Sequence, residues 1–434
     1  KKVLMVDKDP NIGGVCLNRG CIPSKSLLHI AKVTNEVESL SKMGVSYTNK
    51  NMNLDRLRSW KNSVIKKFNI GLKSMSESRN ISFISGEAKF ISNSSIEIDT
   101  DGTISRIDCT NIIIATGARP KYFPGMKPNG KRIITSKEAM VLDEKPKSMV
   151  IIGAGAIGIE FAHFYNSYGT NVTIIEALPQ ILPTEDIEVA EELTKIFKKR
   201  KMNILTETFV EKVTDKGKSV EVKLKSGEVI NADYALVAVG VQSNIENIGL
   251  EKLGIKTDKG SISTNEFLQT NVENIYSIGD VAGPPMLAHK ASEEGIIAVE
   301  HLNGKNPSPM QYDNIPGCVY SHPEVASVGL TEKQALDSGF KIKVGKFPFR
   351  ALGKSMAVRE TDGFIKVIYD EKYGEMLGCH IIGAEATNII TEAVIARKLE
   401  TTYHEILTSI HPHPTLSEAI LEASADAYDE AIHI

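Results

Sequence analysis

Cys16 and Cys21 sit in the stretch "GGVCLNRGCIPSK", with Leu17, Asn18, Arg19 and Gly20 between them. In an undistorted helix this spacing keeps the two too far apart for a relaxed disulfide, whose Cα atoms lie within about 7 Å. Gly20 and Pro23 would permit a bend at the start of a helix. A bridge at such a bend is labile, and so suited to catalysis rather than to structure. A helix beginning near Ile22 would favour the thiolate of Cys21, and Lys25 would add to that. Two buried free thiols, or half of a zinc site, are the competing readings. A zinc site needs two further ligands nearby, and none follows. The pair points to thiol–disulfide exchange.

Exchange runs through a thiolate, and a positioned base supplies one near neutral pH. "HPHPTLSEA" offers His413 between prolines that fix the backbone, with Glu418 placed to orient its imidazole. His411 reads as a turn residue. A third stretch, "GDVAGPPMLAHKASEEG", puts Asp280 at a strand end, where it can bond a ribose or ribityl hydroxyl. A helix then starts near Leu287, and its N-terminus would stabilise negative charge on a bound group.

"SMVIIGAGAIGIEFAHFYNSYGTNVTIIEALP" carries a complete dinucleotide fingerprint. An apolar strand (Met149 to Ile152) leads into Gly153, Ala154, Gly155, Ala156, Ile157 and Gly158. A helix to about Tyr168 and a second strand (Val172 to Ile175) follow, ending at Glu176. The glycines permit a tight turn, close approach of a pyrophosphate and close helix–strand packing. Glu176, about 23 residues after Gly153, stands where an acid bonds a ribose 2′-hydroxyl. An acid there repels a 2′-phosphate, and no arginine follows it, so the reading is NAD rather than NADP.

These residues need elements to hold them. The chain's 434 residues carry 51 basic and 54 acidic side chains. That balance gives no electrostatic reason to expect nucleic acid or an anionic membrane as partner. No apolar run approaches the roughly 18 residues of a membrane span. Five scattered cysteines, the others being Cys109, Cys318 and Cys379, are no secreted disulfide framework. "NIIIATGARP", "YALVAVGVQSN" and "NIYSIGDVAG" are buried-strand runs that each end in a glycine turn. Two nucleotide-binding domains, one inserted in the other, would give this order. From about Ile315 the pattern changes to antiparallel strands ("FIKVIYD", "MLGCHIIG") and amphipathic helices.

The chain resembles the class I flavoprotein pyridine nucleotide–disulfide oxidoreductases, most closely those that oxidise dihydrolipoyl groups. The resemblance rests on "GGVCLNRGCIPSK", "ATGARP", "GAGAIGIE", "IGDVAG", "MLAHKASEEG" and "HPHPTLSE", in family order and spacing. It implies an α/β fold with two doubly wound dinucleotide-binding domains and a C-terminal α+β interface domain. The expected boundaries are an FAD domain over 1–120, an inserted NAD domain over 121–246, completion of the FAD and central part over 247–315, and an interface domain over 316–434.

The resemblance also implies roles. Cys21 would lie beside the flavin and Cys16 would exchange with lipoamide. Lys25 would lie near flavin N5 and pair with Glu160. His413, held by Glu418, would be the base, acting on the disulfide of the opposite subunit of a homodimer. Asp7, Lys8, Gly13, Gly14, Cys16, Lys25 and Ala88 would line the FAD site. So would Thr116, Gly117, Ala118, Asp280, Met286, Leu287, Ala288 and His289. Gly153 to Gly158, with Ile159, Glu160, Glu176, Val210 and Gly240, would line the NAD site. The implied partner is the lipoyl domain of a 2-oxoacid dehydrogenase complex or a glycine-cleavage carrier. The implied compartment is a reducing one, bacterial or archaeal cytoplasm ahead of the mitochondrial matrix.

Val15 stands where many members have threonine, and Asp7 where glutamate is common. The family's first strand, its glycine loop and the next helix are missing, which makes a fragment of a longer protein, binding FAD poorly, the expectation. Glutathione reductase-like members carry arginines after the second strand of the inner domain; here Ala177 and Leu178 follow Glu176. Mercuric reductase-like members carry a C-terminal cysteine pair, and no cysteine follows Cys379. A redox-inactive relative would not need Cys16, Cys21, His413 and Glu418 together.

Overall fold

The computed structural model describes residues 2–40, 43–46 and 52–434. The chain forms two compact units. One comprises the segments up to Ser26, Met52–Lys121 and Gly240–Met310; the other comprises Leu27–Asn51, Tyr122–Val239 and Gln311–Ile434.

In the first unit, Val3–Asp7 pairs in parallel with Ile81–Ser85, and Ile112–Ile114 pairs in parallel with Ile275–Ser277. These are two separate pairs and not one continuous sheet. No strand among the described residues joins them, so Val3–Asp7 and Ile112–Ile114 each keep one edge without a strand partner. A three-stranded antiparallel sheet, Glu87–Ser92, Ser95–Thr100 and Thr103–Asp108, adds to this unit. Phe90, Ile114, Leu250, Ile262, Ile275 and Val281 form its core. Two helices carry the cysteine motif, α1 (Gly14–Arg19) and α2 (Cys21–Leu40).

The second unit holds a parallel five-stranded sheet. Its order is Asn203–Leu205, Asn171–Ile175, Ser148–Ile152, Tyr234–Val237, Ile133–Ile134. "SMVII" and "YALV" are near-continuous apolar runs because strands of a parallel sheet are covered on both faces. Ile151, Ala235 and Leu236 accordingly expose 0 % of their surface. The helix Ala156–Ser167 makes the crossover between Ser148–Ile152 and Asn171–Ile175, as parallel neighbours require. A second five-stranded sheet, antiparallel, runs in the order Gly317–Val319, Glu324–Gly329, Met376–Gly383, Phe364–Asp370, Ile342–Pro348. The helices Ala386–Lys398 and Glu418–Asp426 pack against it around Phe347, Ile365, Val367, Ile381, Ile389 and Ile420. The expected α/β fold is observed, with a doubly wound inner part and a C-terminal α+β part, while the parallel strands of the first unit stand as two separate pairs. No helix among the described residues is long and apolar enough to cross a membrane.

Candidate active site

The cysteine pair sits across a break between two helices. α1 ends at Gly20, whose backbone (φ −141°, ψ −110°) is neither helical nor extended, and α2 begins at Cys21 itself. A Cβ on Gly20 would stand 2.9 Å from the Val15 carbonyl oxygen, so the break needs glycine for its close approach. The break brings Cys16 into hydrogen-bonding contact with Cys21, both half-buried thiols. That hydrogen bond, then burial and the charge of Cys21, push the Cys16 thiol far above its ordinary range; the Cys21 backbone and the Lys25 ammonium pull the other way. Gly13, at φ 113°, caps α1, and a Cβ there would meet Leu17 at 2.5 Å. Gly14 faces open space.

Other residues assigned to the flavin lie in the same unit. Asp7 ends its strand, with Oδ1 accepting from the Asp9 amide at 2.9 Å and its carbonyl from the Gly86 amide at 2.9 Å. Lys8 is exposed and Ala88 is half-buried on its strand. The turn Thr116–Gly117 is held by Asn244: Thr116 Oγ1 donates to the Asn244 carbonyl at 2.7 Å, and Asn244 Nδ2 donates to the Thr116 carbonyl at 2.8 Å. Asn244 was missed in the sequence; its only signal was its place after the strand run "VGVQSN". An added Cβ on Gly117 meets nothing within 4 Å, which leaves room for a ligand to approach the backbone. Ala118 opens the next strand. Asp280 is half-buried. Burial raises its carboxyl above the ordinary value, Lys290 opposing and Glu294 reinforcing the rise. Met286 and Leu287 are half-buried, while Ala288 and His289 lie exposed in the first turn of the helix Ala288–Leu302. Gly240, also in this unit, is exposed at φ 107° with open space around it.

In the second unit the three fingerprint glycines differ in kind. A Cβ on Gly153 would lie 2.4 Å from the Ala238 carbonyl oxygen, and one on Gly158 would lie 2.0 Å from the Gly153 carbonyl oxygen. These two serve close packing. Gly155 meets nothing within 4 Å and caps the helix Ala156–Ser167, so its missing side chain is free for a pyrophosphate. Ala154 and Ile159 are fully buried, so they can offer a ligand backbone only, whereas Ala156 and Ile157 are exposed. Glu176 is buried; Oε2 accepts from the Ala154 amide at 2.7 Å and Oε1 from the Leu178 amide at 2.9 Å. The acid expected at the ribose thereby also braces the glycine turn. Val210 packs in the hydrophobic core of this part. Glu160, buried, accepts from the Tyr320 amide at 3.1 Å.

Gly155→Ala separates binding from packing. Its φ of −71° is open to alanine and no atom is displaced, so thermal stability stays at the wild-type value. KM for NAD⁺ rises by roughly tenfold, or about 1.4 kcal/mol, as steady-state kinetics with varied NAD⁺ would register. Gly158→Ala, by contrast, loses fold stability.

His413 Nδ1 lies 2.8 Å from Glu418 Oε1, and Glu418 Oε2 accepts from the Thr415 amide at 2.7 Å. Burial would raise the Glu418 carboxyl, but the Thr415 amide and His413 outweigh it and hold the group below its ordinary value. An anionic Glu418 accepts a hydrogen bond from Nδ1–H, which leaves the Nε2 lone pair of an imidazole that is 76 % exposed. His411 is braced differently, with Nε2 on Glu392 Oε1 at 2.8 Å and Nδ1 on the Ser409 carbonyl at 3.0 Å. With both nitrogens engaged it supports the loop, in keeping with its reading as a turn residue.

Bent-helix cysteine pair, βαβ fingerprint, histidine–glutamate pair and antiparallel C-terminal sheet together define a flavoprotein disulfide oxidoreductase. Residues 1–295 match the pyridine nucleotide-disulphide oxidoreductase family, residues 315–424 match that family's dimerisation domain, and the chain belongs to this family. Among its relatives is the dihydrolipoyl dehydrogenase of Zymomonas mobilis, 44 % identical over all of this chain and 94 % of that protein. The Bacillus subtilis protein of the same name is 41 % identical, again over all of this chain and 94 % of its own length. The mitochondrial dihydrolipoyl dehydrogenase of Pisum sativum is 38 % identical over all of this chain and 88 % of its own. The crystal structure of LpdA from Mycobacterium tuberculosis superposes with a TM-score of 0.91 at 25 % identity, covering 98 % of this chain and 93 % of that one. Membership makes FAD and NAD the cofactors, and the family's dimerisation domain makes the working unit a homodimer. The open backbone at Gly14, Gly117 and Gly155, and Asp280 beside a helix N-terminus, fit those cofactors.

Proposed function

We propose that this protein oxidises dihydrolipoyl groups to lipoyl groups with NAD⁺. The observation that carries the reading is the Cys16–Cys21 contact across the helix break, together with a His413–Glu418 pair whose Nε2 is free. Substrate identity rests on the dihydrolipoyl-oxidising relatives that the whole chain matches.

The resting pair is the disulfide. His413 Nε2 takes a proton from one dihydrolipoyl thiol, and the thiolate attacks Cys16 Sγ. The Cys16–Cys21 bond breaks, Cys21 leaves as a thiolate, and a mixed disulfide joins Cys16 to the substrate. The second substrate sulfur, losing its proton in turn, attacks the substrate sulfur of that bond. The lipoyl ring closes and Cys16 leaves and is protonated. Two electrons now rest on the cysteine pair, with one proton held by Cys16 and the other released through His413. Bound FAD and NAD⁺ supply the remaining chemistry, a two-electron transfer that restores the disulfide and yields NADH.

Asp7, Gly14, Cys16, Lys25, Thr116, Gly117 and Asp280 would hold FAD, and Gly153 to Gly158 with Glu176 would hold NAD. His413 of one subunit would serve the disulfide of the other. The macromolecular partner would be a lipoyl-bearing domain, met in a reducing compartment where only a catalytic disulfide persists.

The test is a pair of rates on the full chain supplied with FAD. Dihydrolipoamide with NAD⁺ is expected to turn over with a kcat/KM at least about 10³-fold above that for glutathione disulfide with NADPH, a margin of about 4 kcal/mol. The reverse preference would overturn the reading.

A further inference from the structure

Lys290 and Glu294 lie one turn apart on the helix Ala288–Leu302, and their side chains are 0 % and 1 % exposed. Removing two charges from water costs several kcal/mol per ion, which their mutual attraction only partly offsets. A helix gains as much from a surface pair. What else the two hold is therefore informative.

Lys290 Nζ donates to Glu294 Oε2 at 3.0 Å, to the Gly279 carbonyl at 3.0 Å and to the Gly283 carbonyl at 2.9 Å. Those three bonds use every ammonium proton. Glu294 Oε2 also accepts from the Gly279 amide at 2.7 Å. The pair thus grips both ends of the turn Gly279–Gly283, whose second residue is Asp280. Inside the turn, the Asp280 carbonyl accepts from Ser243 Oγ at 2.8 Å, and Ser243 is itself buried. Gly279 and Gly283 have φ of 75° and 109°, and glycine sets no conformational preference of its own there. Position is imposed on this turn from outside, by a buried ion pair and a buried hydroxyl.

We propose that Lys290 and Glu294 are positioning residues for FAD, fixing the Gly279–Gly283 turn so that the Asp280 carboxylate meets a ribityl or ribose hydroxyl. The proposal rests on the reading of Asp280 as an FAD ligand. Neither side chain touches the flavin in this scheme, and neither takes part in thiol–disulfide exchange. Their loss therefore weakens FAD binding without slowing reduction of the cysteine pair by dihydrolipoamide.

The experiment measures FAD affinity by fluorescence titration of the flavin-stripped full chain, beside thermal melting of the same flavin-free samples. Lys290→Met/Glu294→Leu replaces the pair by apolar groups, a change that buried ion pairs often tolerate in stability. Its Kd for FAD is expected to rise by at least about 30-fold, more than its fall in melting temperature accounts for. Glu294→Gln keeps an acceptor for the Gly279 amide and for Lys290, and is expected to bind FAD within about threefold of wild type. Lys290→Gln serves if the double variant does not fold, with roughly a tenfold loss expected. Wild-type affinity in the double variant (or in Lys290→Gln in its place) overturns the proposal and leaves Asp280 as ligand untouched. Losses of affinity that merely follow losses of melting temperature, Glu294→Gln included, overturn it too. An Asp280→Ala chain that binds FAD as wild type does overturns the reading of Asp280, and the proposal with it.

Discussion

Cys21→Ser abolishes NAD⁺-linked oxidation of dihydrolipoamide, with kcat falling by more than about 10³-fold, the scale on which losing a covalent group acts. Cys16→Ser does the same for a different reason. Without Cys16 no sulfur is presented for attack; without Cys21 no leaving group departs and nothing stores the electron pair. The double variant is expected to be no worse than either single one, because the two sulfurs act as one unit. Thiol titration gives an independent readout. Wild type gains two reactive thiols on treatment with dihydrolipoamide, whereas either variant gains none. Cys379, fully buried, stays silent throughout, and Cys109 and Cys318 contribute equally before and after. Compared with the reduced wild type, fold stability changes by less than about 1 kcal/mol, since sulfur gives way to oxygen at a half-buried position. Full NAD⁺-linked activity in Cys21→Ser would show that electrons reach the nicotinamide by another route.

What could be read in the sequence was local. The βαβ fingerprint spans 28 residues from Met149 to Glu176, and its glycines, strands and acid each have a local physical reason. The helix break at Gly20 followed from the disulfide's own geometry, and α2 starts within one residue of the expected place. What stayed hidden depends on contacts between distant segments. Glu176 was placed at a ribose, yet its two oxygens also hold the Ala154 and Leu178 amides, a bracing that appears only once the turn has closed. Asn244 anchors the Thr116 turn from 128 residues away. Lys366, inside the run "FIKVIYD", would be assigned to the solvent face of a half-exposed strand. It is instead 1 % exposed, its ammonium 3.1 Å from Asp186 and 2.6 Å from Glu332. No local pattern announces a lysine whose counter-charges come from another part of the unit. Likewise Lys290 and Glu294 look like an ordinary helix-surface pair until the turn they clip is folded against them.

His413→Gln is expected to lower kcat/KM for dihydrolipoamide by about 10²- to 10⁴-fold, the range for loss of a positioned general base. The base acts on the substrate thiol, so the loss belongs to the lipoyl half-reaction alone. Reduction of the flavin by NADH, measured as bleaching of flavin absorbance in a single turnover, keeps its wild-type rate. A neutral imidazole is the acting form, because only its Nε2 lone pair can take the thiol proton. Glu418→Gln loses less. The amide can still sit against Thr415 and Nδ1, but it carries no charge to stabilise the imidazolium that forms, and it can turn to favour the wrong tautomer. The lowered Glu418 carboxyl keeps that charge in place down to pH values below the ordinary carboxylate range. If Glu418→Gln and His413→Gln lost the same factor, orientation by Glu418 would be the whole of the base's effect. If the double variant lost the product of the two, the residues would act independently and the 2.8 Å contact between them would have no catalytic meaning. A double variant no worse than His413→Gln is the outcome this geometry requires, because Glu418 has no route to the thiol except through the imidazole.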